Sequence, residues 1–151
     1  MLRTVLNDAL KASIKLQEKG AMRTIRLILA SIKDQDICAR TEGEANGISD
    51  DKILAMLQTM VKQRHESIKL YEEGGRLELA EQEQEEIQVI QSFMPKQLEG
   101  HALDRAIRQA IDEIGARDMK DMGKTMKLLK QRYPGRMDFS KASGKVREAL
   151  V

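Results

Sequence analysis

At 151 residues, with 41% hydrophobic and 33% charged side chains, the chain is the size of one ordinary domain or two small ones. Aromatics reach only 3% and Trp is absent, so a core must be built from Leu, Ile, Met, Val and Ala, which favours thin helical layers over a deep sandwich. The net charge of +2 conceals a division: residues 1–43 carry eight Lys/Arg against five Asp/Glu, residues 44–94 five against eleven, and residues 95–151 thirteen against eight.

The strong helix formers Ala, Leu, Glu, Lys, Gln, Arg and Met dominate, and only Pro95 and Pro134 interrupt them. A first helix is expected from Leu2 to about Lys19, with Val5, Leu6, Ala9, Leu10, Ile14 and Leu16 as apolar positions and Gly20 as the break. A second, from Ala21 to about Thr41, places Ile25, Leu29 and Ile32 at i, i+4, i+7. Glu42-Gly43-Glu44-Ala45-Asn46-Gly47 reads as a loop, after which Ser49 or Asp50 caps a third helix. That helix carries Ile53, Leu57, Met60, Val61, Ile68 and Tyr71 on one stripe, up to Gly74-Gly75. A fourth follows with Ala80, Ile87, Ile90 and Met94 in register, so the two form an antiparallel hairpin. Its register sets Leu57 near Phe93, Val61 near Val89, and Arg64 near Glu86 or Glu83, where a structural ion pair is expected.

Pro95 marks a boundary, with Met94-Pro95-Lys96-Gln97-Leu98 as a short linker. Beyond it, Leu103, Ile107, Ala110, Ile111 and Ile114 define a helix closed by Gly115. Asp118, with Asp121 three residues on, starts the next. Met122, Met126, Leu129 and Tyr133 form its apolar stripe, and Tyr133-Pro134-Gly135 ends it. Asp138 caps a last helix that turns Phe139, Val146 and Leu150 inward. The expected fold is all-α: an N-terminal helical hairpin domain over residues 1–94 and a C-terminal three-helix bundle over residues 95–151.

Catalytic templates fail. There is no phosphate-binding glycine loop, no G-x-G-x-x-G and no G-x-S-x-G elbow. His65 and His101 lie in different halves and neither belongs to an H-x-x-x-H pair, so no metal site is expected, and the sequence implies no cofactor. Cys38 reads as a small, semi-buried helix residue. Glu81, Glu83, Glu85 and Glu86 point in several directions on a helix and read as a solvated face. No run approaches the roughly 18 apolar residues that span a bilayer. Met1-Leu2-Arg3-Thr4 lacks signal-peptide order, so the expected compartment is the cytoplasm, away from membranes.

The basic C-terminal third is the most specific feature. Lys124, Lys127, Lys130, Arg132 and Arg136 occur without an intervening acid. Lys120, Lys124 and Lys127 lie opposite the Met122/Met126/Leu129 stripe, and the last helix adds Lys141, Lys145 and Arg147. Like charges this close repel, and a phosphate backbone would relieve that repulsion. The same pattern also describes an ordinary solvated lysine face. With so few aromatics, backbone and shape recognition is favoured over base stacking.

Lys62-Gln63-Arg64-His65-Glu66-Ser67-Ile68, followed by Tyr71-Glu72, Gly75-Arg76, Leu79-Ala80, Glu83, Glu86 and Phe93-Met94-Pro95-Lys96-Gln97-Leu98, resembles the core motif of the GatB/YqeY family. Arg23-x-x-x-Leu27, Met122-Gly123-Lys124-x-Met126 and Gly135-Arg136 resemble further landmarks of that family, in order along nearly the whole chain. The sequence departs from the pattern at Met137-Asp138-Phe139-Ser140 and at Gly100-His101. The resemblance is closest to free-standing, YqeY-like members and implies two linked helical domains. It also implies a relationship to the tail of the B subunit of glutamyl/aspartyl-tRNA amidotransferase, which helps to hold tRNA, without that subunit's catalytic cradle. The expected role is a tRNA-binding accessory module with no catalysis of its own, using Lys120, Gly123, Lys124, Lys127, Lys130, Arg132, Arg136, Lys141 and Lys145. Its expected partner is tRNA or another structured RNA. The alternatives are a protein–protein adaptor docking through the acidic hairpin, or a component of a glutamine-dependent carbon–nitrogen ligase complex.

Overall fold

The computed structural model describes residues 1–151 and consists of seven helices: α1 (Leu2–Lys15), α2 (Lys19–Thr41), α3 (Asp50–Glu73), α4 (Leu77–Gln91), α5 (Gly100–Ile114), α6 (Met122–Arg132) and α7 (Phe139–Leu150). One 3-10 turn, Met119–Asp121, leads into α6. No helix is long and apolar enough to cross a membrane. The internal contacts group into Met1–Met94 and Pro95–Val151, and each unit has its own core.

In the first unit α2 packs on α1 and α4, and α4 packs along α3. Leu6, Ile28, Ile32, Ile53, Leu57, Met60 and Ile90 meet at the centre, with Phe93 and Val61 against them. Ser49 caps α3, its hydroxyl accepting from the Lys52 N–H at 3.3 Å, and Asp50 and Asp51 complement the helix dipole in the first turn. The hairpin register follows the sequence: Arg64 Nε meets Glu86 Oε2 at 2.9 Å, while the same guanidinium donates to the Met60 carbonyl. Glu83 and Glu86 are half-buried, whereas Glu81 and Glu85 face solvent.

The first helix ends earlier than expected. Gly20 lies inside α2, and the break falls at Leu16–Glu18. There Gln17 takes the left-handed conformation at φ 56°. Its N–H bonds the Ile14 carbonyl and that of Glu18 bonds Ser13, the paired closure usually built around glycine. Gly75 and Gly115 close α3 and α5 in the same way. Among the apolar positions expected along the first helix, Val5, Ile14 and Leu16 are exposed. Ile28 is fully buried, beyond the expected Ile25, Leu29 and Ile32 set. Cys38 is exposed rather than semi-buried.

A tertiary staple joins α1, α2 and the loop before α3. Arg3 donates two 2.7 Å hydrogen bonds to the Asp36 carboxylate and a third, at 2.9 Å, to the Ile48 carbonyl. Asp36 Oδ1 in turn accepts from the Ile48 N–H. Ile48 is thereby held 7% exposed in the core although it belongs to a loop. Gly47 sits against this staple at φ 82°, where any Cβ would collide with the Asp36 carboxylate.

In the second unit, Leu103, Ala106, Ile107 and Ala110 of α5 meet Leu129 of α6, Met137, and Ala142, Val146 and Leu150 of α7. Asp138 caps α7, accepting from the N–H groups of Ser140 and Lys141, so this departure from the family pattern supplies an ordinary helix start. At the other departure, Gly100 opens α5 at φ 55°, and Glu99 makes no side-chain capping bond. Residues 97 and 98, expected as linker, are tied into this unit. The Leu98 N–H bonds the Arg136 carbonyl at 2.6 Å, and the Gln97 amide donates to the Gly135 carbonyl.

Candidate nucleic-acid interface

The nine candidate residues all lie in the second unit. Lys120 is on the 3-10 turn. Gly123, Lys124, Lys127, Lys130 and Arg132 are on α6, Arg136 is in the turn after it, and Lys141 and Lys145 are on α7. The helix pitch of 3.6 residues puts Lys124, Gly123, Lys127 and Lys130 on one side of α6. The opposite side buries Thr125 and Leu129, and the Thr125 hydroxyl is satisfied by the Asp121 carbonyl.

Charge pairing divides the set. Lys120, Lys124, Lys127, Lys130 and Lys141 are exposed and none is in an ion pair. Arg132 instead bonds both oxygens of Glu113 on α5, at 3.0 and 2.6 Å. That bond holds the Glu113 carboxyl below the usual carboxylate range and raises the guanidinium. Lys145 bonds Asp104 of α5 and lowers its carboxyl likewise. Arg136 is half-buried: its Nε donates to the Lys96 carbonyl at 3.3 Å, and its guanidinium lies 5.9 Å from the centre of the Tyr133 ring. It therefore braces the turn against residue 96.

Gly123 has an ordinary helical backbone, and a Cβ there would meet nothing within 4 Å. Neither conformation nor packing within the unit calls for glycine at that point. Its missing side chain lowers the helix surface in the middle of the lysines. Arg105 and Arg108 on α5 are further exposed cations without ion pairs, not singled out from sequence. Their spacing opposite the Leu103/Ile107 stripe is the signal that could have found them. No group of His, Cys, Asp and Glu is arranged to hold a metal ion.

Fold and surface together define a class: an all-helical chain of two compact units, the second bearing a face of unpaired lysines. The chain belongs to the Yqey-like protein family, which it matches over residues 3–150. It is also similar to an uncharacterized protein of Schizosaccharomyces pombe, 26% identical over 95 residues that cover 63% of this chain and 73% of that relative.

Proposed function

We propose that this protein is a cytoplasmic tRNA-binding accessory module without catalysis of its own, and that its C-terminal unit holds the phosphate backbone of the RNA on the lysine face of α6. The observation that carries this reading is the contrast within one unit. Arg132 and Lys145 are neutralised by carboxylates, while Lys124, Lys127 and Lys130 on one side of α6, and Lys120 on the turn before it, are left without ion pairs. Lysines clustered on one side of a helix repel one another, and phosphates taking the place of their counterions relieve that repulsion. Gly123 supports the same reading, because it allows a backbone to approach the helix between the lysines. The resemblance to the amidotransferase B-subunit tail favours tRNA over other structured RNAs.

Photocrosslinking the full chain to bulk tRNA, followed by peptide mapping, tests this reading. Crosslinks concentrated on residues 119–132 are expected. Crosslinks confined to the first unit, or none at near-physiological salt, would overturn it.

A further inference from the structure

A second surface lies in the first unit. Between α1 and α4, over the start of α2, runs a groove of about 600 Å³. Its apolar lining residues include Ala9 and Ala12 of α1, Gly20 and Ala21 of α2, Val89 of α4 and Phe93 just past the end of α4. Two observations distinguish it from an ordinary surface furrow. First, Val5, Ala9 and Ala12 recur at i, i+4, i+7, so they share one face of α1, and Leu16 follows just past its end. Val5 is 51% and Leu16 68% exposed, two further apolar side chains on and just after α1 that are open to solvent. Second, a Cβ at Gly20 would meet nothing within 4 Å, and its backbone is ordinary helix. Gly20 lies in the first turn of α2, and its missing side chain leaves that end of the groove open.

The opposite wall is acidic. Helix α4 carries Glu78, Glu81, Glu83, Glu85 and Glu86 and no Lys or Arg. Glu85 and Glu86 line the groove with Glu18, opposed only by Arg23, and Glu86 is already engaged by Arg64. On the same helix, the half-buried Glu83 carboxyl is raised above its ordinary value, first by burial and then by the field of Glu86. Such a rim repels a phosphate backbone and attracts a cationic peptide.

We infer that the groove receives an amphipathic helix of a partner protein, with a small apolar face against α1 and Lys or Arg along the edge that meets α4. The longer wall is lined from Gln82 to Phe93, so the matching length is about 17 Å, or roughly three turns. Small residues let helix axes approach closely, and an apolar stripe flanked by complementary charge is how a groove selects a helix.

The probe is a labelled synthetic helix of Ala and Leu on one face and Lys on both flanks, titrated into the full chain beside a version with Glu in place of Lys. The Lys helix is expected to bind saturably and the Glu helix at least about tenfold more weakly. Ala12→Gln, a conservative change on an exposed helix surface, should weaken the Lys helix about tenfold by filling the groove. Glu85→Lys should weaken it similarly and strengthen the Glu helix, while Glu78→Lys, outside the lining, changes it no more than about twofold. Bulk tRNA affinity should be the same in Ala12→Gln as in wild type, which separates this surface from the lysine face. The inference is overturned by equal binding of the two helices, by indifference to Ala12→Gln, or by a self-association of the chain that Ala12→Gln abolishes, which would make a second copy the occupant.

Discussion

Arg132 on α6 and Glu113 on α5 form a two-pronged ion pair across 19 residues of sequence, so one of the most cationic-looking residues of the basic segment is already occupied. Arg132→Gln should therefore leave the salt dependence of tRNA binding nearly unchanged. Glu113→Gln releases the guanidinium and should steepen the slope of log affinity against log salt by up to about 0.9. Fluorescence anisotropy across a potassium chloride series measures both. A loss of slope in Arg132→Gln equal to that of a lysine variant would show that the pair opens to receive phosphate.

Gly123 separates stability from binding. Replacing it with Ala restricts the unfolded chain at a site whose backbone Ala accepts, and should stabilise the protein by about 0.5–1 kcal/mol in urea denaturation. The same methyl group intrudes between the lysines, so tRNA affinity should fall. A variant that gains stability and keeps full affinity would mean that nothing approaches the helix there.

The first unit was legible wherever the signal was local. Gly74-Gly75 ends a helix through its own backbone chemistry, and the hairpin turn then dictates that Arg64 finds Glu86. Gln17 was not legible, because the helix stop there uses a glutamine in the left-handed conformation, a residue that carries no sequence mark for it. Nor was the place of Ile48 in the core, which depends on Arg3 and Asp36 meeting 33 residues apart. In the second unit, periodicity alone located the lysine face. It could not separate Lys127 from Arg132, since the difference between them is a carboxylate on another helix.

The Arg3–Asp36 staple predicts an acid-sensitive contribution to stability. The Arg3 hydrogen bonds, opposed by burial and aided by the Ile48 N–H, pull the Asp36 carboxyl down to about 2. An unfolded aspartate titrates near about 3.9. The folded value is the lower one, so the contribution is complete above about pH 4 and disappears as pH falls through about 2. Asp36→Asn should cost about 1–3 kcal/mol at neutral pH. That deficit should shrink between about pH 4 and pH 2, as followed by urea unfolding at each pH. A deficit independent of pH over that window would place the stabilisation in packing and not in the charge.

Each unit has its own core, so each should fold alone. Fragments 1–94 and 95–151, expressed separately, are expected to keep helical circular dichroism and cooperative thermal unfolding. Two unfolded fragments would mean that the cores depend on each other.

The most direct measurement is the salt dependence of bulk tRNA binding by the wild type and by the double variant Lys124→Gln/Lys127→Gln. Gln is a good helix former, so helicity should hold. If these two lysines meet phosphates, the slope of log affinity against log salt should fall by about 1 to 2 units, with weaker binding at every salt concentration. Identical affinity and slope in the two proteins, or no tRNA binding near physiological salt, would contradict an RNA-binding role for the lysine face.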